Sequence, residues 1–186
     1  MKKYCNCGGA LTETMVPRYG VPRLGIPVVL IDTVKLFKCS QCGKERHELP
    51  DLCMLLSAAA TSRAINPRQL CGTEIRFIRK TLGLRAIEFA EILNATFETV
   101  SRWENDKLTN MSTDTEKLIR LIALNRLGKD DVDLRNNIDR LIDMDIKPPK
   151  GKPVPVKQEI RLPQVPTKGK KSSPKNQLSG AAHRGS

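Results

Sequence analysis

Residues 73–105 read TEIRFIRKTLGLRAIEFAEILNATFETVSRWEN, and this stretch decides the fold. Ile75, Ile78 and Leu82 recur at i, i+3 and i+7, one face of a helix that follows Thr73 and ends at Gly83. A second run over 86–93 turns Ile87, Phe89 and Ala90 inward. Asn94-Ala95-Thr96 makes a short turn, and a further helix covers 97–105 with Thr96 as its N-cap. A hydroxyl at that position satisfies an orphan backbone N–H and contributes about 1 kcal/mol. Two short helices joined by so tight a turn can present the second to a DNA major groove, which is about 12 Å wide.

On the 97–105 helix, Val100 and Trp103 face a core. Thr96, Glu98, Thr99, Ser101, Arg102 and Asn105 are left on or near the outer face. Arg102 suits guanine or phosphate, Thr99 a phosphate or a thymine methyl, and Glu98 the cytosine amino group. The plain alternative is a solvated helical face, which most charged helices have.

Working outward, a helix over 112–127 carries Leu118, Ile119, Leu121 and Ile122. Another over 131–144 carries Leu134, Ile138, Leu141 and Ile142. Upstream, Asp51 can N-cap a helix over 52–63. The first fifty residues differ in kind. Residues 11–16 alternate as a strand does, and 26–31 and 33–38 are β-branched and apolar-rich. So small a β-rich unit has too little core of its own and calls for a metal, disulfides or a partner.

Its cysteines supply the metal. Cys5-x-Cys7 and Cys39-x-x-Cys42-Gly43 are two chelating pairs that bracket a β-meander, a zinc-ribbon-like arrangement. A structural zinc ion is closed by four tetrahedral protein ligands, so one Zn2+ per chain is expected on Cys5, Cys7, Cys39 and Cys42. The second pair is a regular knuckle. The first is irregular, with Tyr4 where the usual first Cys stands. A degenerate, weakly binding knuckle is the alternative, and His47 is a substitute ligand. Cys53 and Cys71 lie in apolar helical surroundings and read as small core residues.

The net charge is +12, unevenly spread. Residues 147–186 hold ten Lys or Arg against the single acid Glu159, which accounts for +9 of it. This basic tail is rich in Pro, Gly and Ser, and the expectation is disorder. No apolar run approaches the roughly 20 residues of a membrane span, and no export signal is evident. A cytoplasmic protein is expected, where thiols stay reduced and bind metal more often than they form disulfides. Aromatic residues make up only 4%, which favours small units over one large core. The expected fold is mainly α with a small β-rich zinc module. The zinc module spans 1–50, a connecting helix and linker 51–69, a five-helix DNA-binding domain 70–146, and the basic tail 147–186.

Ile75-Arg76-x-x-Arg79-x-x-x-Gly83-Leu84, Phe89-Ala90-x-x-Leu93 and Thr99-Val100-Ser101-Arg102-Trp103-Glu104-Asn105 together resemble the lambda-repressor-like, Xre-type helix-turn-helix. With the cysteine pairs upstream, residues 4–125 resemble the YgiT/MqsA family of zinc-finger/helix-turn-helix proteins, many of them antitoxins of toxin–antitoxin pairs. The resemblance implies a homodimer that binds a palindromic double-stranded DNA operator. It implies an N-terminal module that binds a protein toxin or supports the fold. It also implies a structural ion pair between Arg79 and Glu104, which the spacing permits. Two positions depart from the family pattern: the first knuckle is shifted, and Ala86 stands where Gln is usual. The basic tail has no counterpart in it.

Other functions weigh less. A stand-alone regulator would share every feature above except the toxin. A zinc hydrolase or deaminase needs an open zinc position and a His-x-Glu motif. His47-Glu48 lacks that spacing, so no enzymatic activity is expected. An RNA-binding protein would have to use the tail.

Overall fold

The structure is a computed structural model that describes residues 4–106, 111–128, 138–149, 151 and 153–162. The two apolar runs around residue 32 join in one long strand. β1 (Leu11–Val21) and β2 (Val28–Cys39) pair antiparallel from Val21 opposite Val28 to Leu11 opposite Cys39. The register slips between Val16 and Arg18, where Pro17 has no N–H to give the ladder. Asp32, facing the slip, has a φ of 46°. Val28, Leu30 and Val34 are buried on both sides of this kink, and the buried set changes to Phe37 and Cys39 only beyond Val34. β3 (Glu45–Glu48) lies antiparallel along Lys35–Lys38 of β2.

Five helices follow. α1 (Leu52–Ala64) starts at Asp51, whose carboxylate accepts the Met54 N–H at 3.0 Å. It buries Leu55, Ala59, Ala60 and Ala64 and packs on α2 (Gly72–Thr81) and α5 (Thr113–Leu127). α3 (Ala86–Ile92) and α4 (Phe97–Glu104) lie between those two in sequence. Residues 138–142 are also helical, and Leu141 there is buried. Among the described residues the helices number six, one more than the five expected for the DNA-binding domain. The reason is α1, which enters the core instead of merely connecting two modules. The first part of the expected 131–144 helix, with Leu134, lies outside the described residues. Val28, Leu30 and Val34 of the sheet share one apolar core with Leu55, Ile78, Phe89, Val100 and Ile119 of the helices.

Two ion pairs are sealed inside that core. Arg63 donates through Nε and Nη2 to Glu74 at 2.6 and 2.8 Å, and both residues are fully buried. Arg120 donates to Glu116 at 2.6 Å. Both arginines also donate to the Arg68 carbonyl, at 2.9 and 2.7 Å, so they fix the connection between α1 and α2. Glu74 in turn accepts the Cys71 N–H at 3.0 Å, satisfying an orphan donor at the start of α2. Charges this deep persist only when fully paired, and among the described residues no buried side-chain nitrogen or oxygen lacks a partner.

The tail corrects one expectation. Residues 147–149, 151 and 153–162 of it are placed, and part of them joins the sheet. β4 (Gln158–Ile160) pairs parallel with Val28–Leu30 of β2 and closes the edge that β3 leaves open. Gln158, Ile160 and Leu162 are buried, and Lys147 forms a bridge with Arg68. Composition missed this because three inward side chains and an open sheet edge suffice to hold a short strand, whatever the average polarity. The remainder, 163–186, lies outside the described residues.

Two smaller expectations also fall. Ile87 is half-exposed rather than inward, because α3 turns only Phe89 and Ala90 to the core. Cys53 is exposed, because α1 buries the side carrying Leu55 and Ala59. Cys71 is buried as expected.

Candidate functional site

The sheet gathers four cysteines at one end. Cys5 and Cys7 sit in the turn before β1, Cys39 closes β2, and Cys42 lies in the turn to β3. Their sulfurs all lie within 4.8 Å of one another. Cys5 and Cys42 are 3.6 Å apart, and Cys7 and Cys39 are 3.5 Å apart. A tetrahedral ion with metal–sulfur bonds of about 2.3 Å requires sulfur–sulfur edges of about 3.8 Å, so the cluster is consistent with a metal site. The irregular first pair is therefore no obstacle, since each of its cysteines reaches one cysteine of the second.

Turn geometry builds the cluster. Gly43 donates its N–H to the Cys39 carbonyl at 3.1 Å, and Cys39 donates its own to the Lys44 carbonyl at 3.0 Å. The turn closes through Gly43 at φ 67°, a left-handed conformation that glycine adopts without steric cost. The Cys42 and Gln41 backbone N–H groups point at the Cys39 sulfur and hold its thiol down at about 6. A backbone hydrogen bond from Cys7 lowers Cys5, with Cys42 adding to it. Lys44 pulls Cys42 down in the same way, but the Cys7 and Cys39 sulfurs outweigh it and push Cys42 up to about 11. Four sulfurs that cannot all carry charge unaided are chemically suited to share a cation.

His47 is not part of the cluster. It lies on β3 opposite Leu36, its ring centred 5.0 Å from that of Tyr19.

The second candidate surface is built by α3 and α4, joined through 93–96. Asn94 turns the chain at φ 50°, a conformation Asn tolerates better than most residues. The Thr96 hydroxyl accepts the Thr99 N–H at 3.2 Å and so caps α4 as expected. Val100 and Trp103 are buried against the core. Glu104 anchors the far end, accepting Arg79 Nε at 2.5 Å and Nη2 at 3.0 Å.

Arg76 completes this anchor, a role not assigned to it from sequence. Its Nε donates to Glu104 at 3.2 Å, and its Nη2 reaches the Glu104 carbonyl at 3.2 Å and Asn105 Oδ1 at 2.8 Å. The signal was the three-residue spacing of Arg76 and Arg79 on one helix face. Gly72 permits the close approach of α2 and α4, since a Cβ there would stand 2.4 Å from the Trp103 carbonyl oxygen.

The six outer-face residues divide. Thr96, Glu98, Arg102 and Asn105 are exposed, while Thr99 and Ser101 are half-buried. Thr99 is engaged with the Thr96 hydroxyl at 3.0 Å. Asn105 Nδ2 donates to the Ser101 carbonyl at 2.7 Å, which with Arg76 ties up both ends of its amide. Among the described residues, Glu98 and Arg102 make no side-chain hydrogen bond or ion pair. They are the two exposed charged side chains of α4, and the half-buried Ser101 hydroxyl likewise has no partner among the described residues.

A scan against protein-family models and a comparison with curated proteins return no match for this chain. No helix among the described residues is long and apolar enough to cross a membrane.

Proposed function

We propose that the chain is a DNA-binding transcriptional repressor of the YgiT/MqsA kind. In this reading it is an antitoxin that binds its own palindromic operator as a homodimer in the cytoplasm and holds one structural zinc ion. The observation that carries the reading is the α3–α4 pair. A short capped helix is clamped at its far end by Arg79 and Glu104 and leaves Glu98 and Arg102 outward and unengaged. A helix-turn-helix needs such a rigid second helix with free polar side chains at base-edge reach. Thr96, Thr99, Ser101 and Asn105 then serve phosphates or hold the reading residues in place. Zinc fits the cysteine cluster because four thiolates at tetrahedral spacing suit a soft ion in a closed site. The ion's part is structural, and no catalytic role belongs to the reading.

Selection of duplexes from a random pool by the purified protein tests this directly. The expected outcome is a short sequence with two-fold symmetry bound far more tightly than random duplex. No enrichment would overturn it. The toxin is tested by co-expression with the product of a neighbouring short reading frame.

A second reading, a stand-alone regulator with no toxin partner, is favoured by the shared core. The sheet and the helices bury one another, so the sheet is already needed for the fold and has no requirement for a toxin.

A further inference from the structure

The hairpin between β1 and β2 places its tip beside α2. With Leu56 of α1 they line a cleft of about 450 Å³, to which the hairpin gives Arg23 and Leu24 and α2 gives Arg76, Phe77 and Lys80. Three of these residues are cationic and none carries a carboxylate. Arg23 and Lys80 are exposed, and among the described residues neither has a hydrogen-bond or ion-pair partner. Arg76 is fixed by Glu104 and Asn105, yet its side chain remains 41% exposed. Phe77 and the half-buried Leu24 and Leu56 make an apolar wall behind the charges. Cations gathered in a cleft with a low-dielectric wall raise the local concentration of anions.

Arg76 also joins this cleft to the second candidate surface. Its guanidinium donates to Asn105 Oδ1 at 2.8 Å, immediately after the last residue of α4. Arg76 therefore touches the end of α4 and also lines the cleft that holds Lys80 and, from the sheet, Arg23.

We infer that this cleft is a second site of attachment to duplex DNA, in which Arg23 and Lys80 neutralise backbone phosphates beside the stretch met by α4. The inference rests on the DNA-binding reading above and deepens it. The cysteine-bearing sheet then contributes to DNA affinity through its hairpin, in addition to its part in the core. Pairing with phosphates positions a protein without reading sequence, so the contribution is the same on every duplex.

The test uses full-length parent protein, Arg102→Ala and the double variant Arg23→Gly/Lys80→Gln. Arg23 has a φ of 60°, where glycine fits better than arginine, and Lys80 is exposed, so the double variant retains the fold. Lys80→Glu is a second variant that needs no change in the hairpin. Binding is measured by fluorescence anisotropy on the selected duplex and on a random duplex over a range of salt. Each phosphate that the protein no longer neutralises flattens the plot of log affinity against log salt by about 0.9. The double variant should lower that slope by about 2 and weaken both duplexes by one common factor. A parental slope in the double variant overturns the inference and leaves the DNA-binding reading standing. A weakening confined to the selected duplex overturns it as well. A parent that binds neither duplex overturns both.

Discussion

The Glu74 carboxylate accepts the backbone N–H of Val156 at 2.7 Å while Arg63 holds the same carboxylate at 2.6 Å. A buried ion pair between α1 and α2 thus doubles as the docking point for a segment 82 positions later in the chain. From there the chain runs into β4, where Gln158 accepts the Ser62 hydroxyl at 3.0 Å. Glu159 pairs with Arg18, and Arg161 with Asp32.

Removing residues 153–186 should therefore destabilise the whole fold, while removing only 163–186 should leave it unchanged. Ile160→Ala should cost about 2–4 kcal/mol, the usual range for emptying a buried site of that size. Urea melts of the parent and these three variants give the comparison. A 1–152 fragment as stable as the parent would show that the strand is dispensable.

Cysteine reactivity should separate the six thiols into three classes. Cys53 is exposed on α1 and should react with iodoacetamide at once. Cys5, Cys7, Cys39 and Cys42 should be protected in metal-loaded protein and become reactive when a chelator is added. Cys71 should resist in both states, because burial, reinforced by the nearby Glu74 carboxylate, pushes its thiol up to about 11. A raised thiol is mostly protonated at pH 8, and thiolate is the reactive form. Mass spectrometry of the labelled peptides reads the result, and metal-independent labelling of the four-cysteine set would refute the metal site.

Metal content should be one zinc ion per chain and should vanish in Cys39→Ser. Because Val28, Leu30 and Val34 are packed on the helices, the substitution should loosen the turns at 4–10 and 39–44 and spare the rest of β2. Hydrogen exchange would show this as faster exchange confined to those turns. Uniform unfolding of the sheet would mean that the metal, and not the shared core, holds it.

Glu104→Ala should lower stability by about 3–5 kcal/mol, the usual effect of removing one partner of a buried pair. Arg79 and Arg76 would both be left without their carboxylate, and the Arg79 side chain is only 11% exposed. Glu104→Gln should cost less, because an amide can still accept one of the hydrogen bonds. A thermal melt of Glu104→Ala that overlays the parent would show that α4 does not depend on this clamp.

Arg102→Ala should leave stability untouched, since the side chain is exposed and unpaired among the described residues. On a selected operator it should cost about 1–3 kcal/mol, with little change on random duplex. Equal weakening on both would make Arg102 a phosphate ligand rather than a base reader.

The sequence by itself determined the elements and the local chemistry. Periodicity and caps gave α1 to α5 within a residue or two, because Asp51, Thr96 and Ser112 each bond a backbone N–H three residues on. The four cysteines were legible because a chelating pair is itself a short-range pattern. The family resemblance pointed to Arg79 and Glu104, whose 25-residue separation the α2–α4 packing closes. What only the tertiary structure decided lies between elements far apart in the chain. The full burial of Arg63 and Arg120 arises only where α1, α2 and α5 close over them. Cys53 and Ile87 read as core until each helix chooses its buried face. The polar segment around Gln158 reads as tail until an open edge of β2 accepts it. Those outcomes depend on which surfaces meet, and composition and periodicity carry information only about neighbours along the chain.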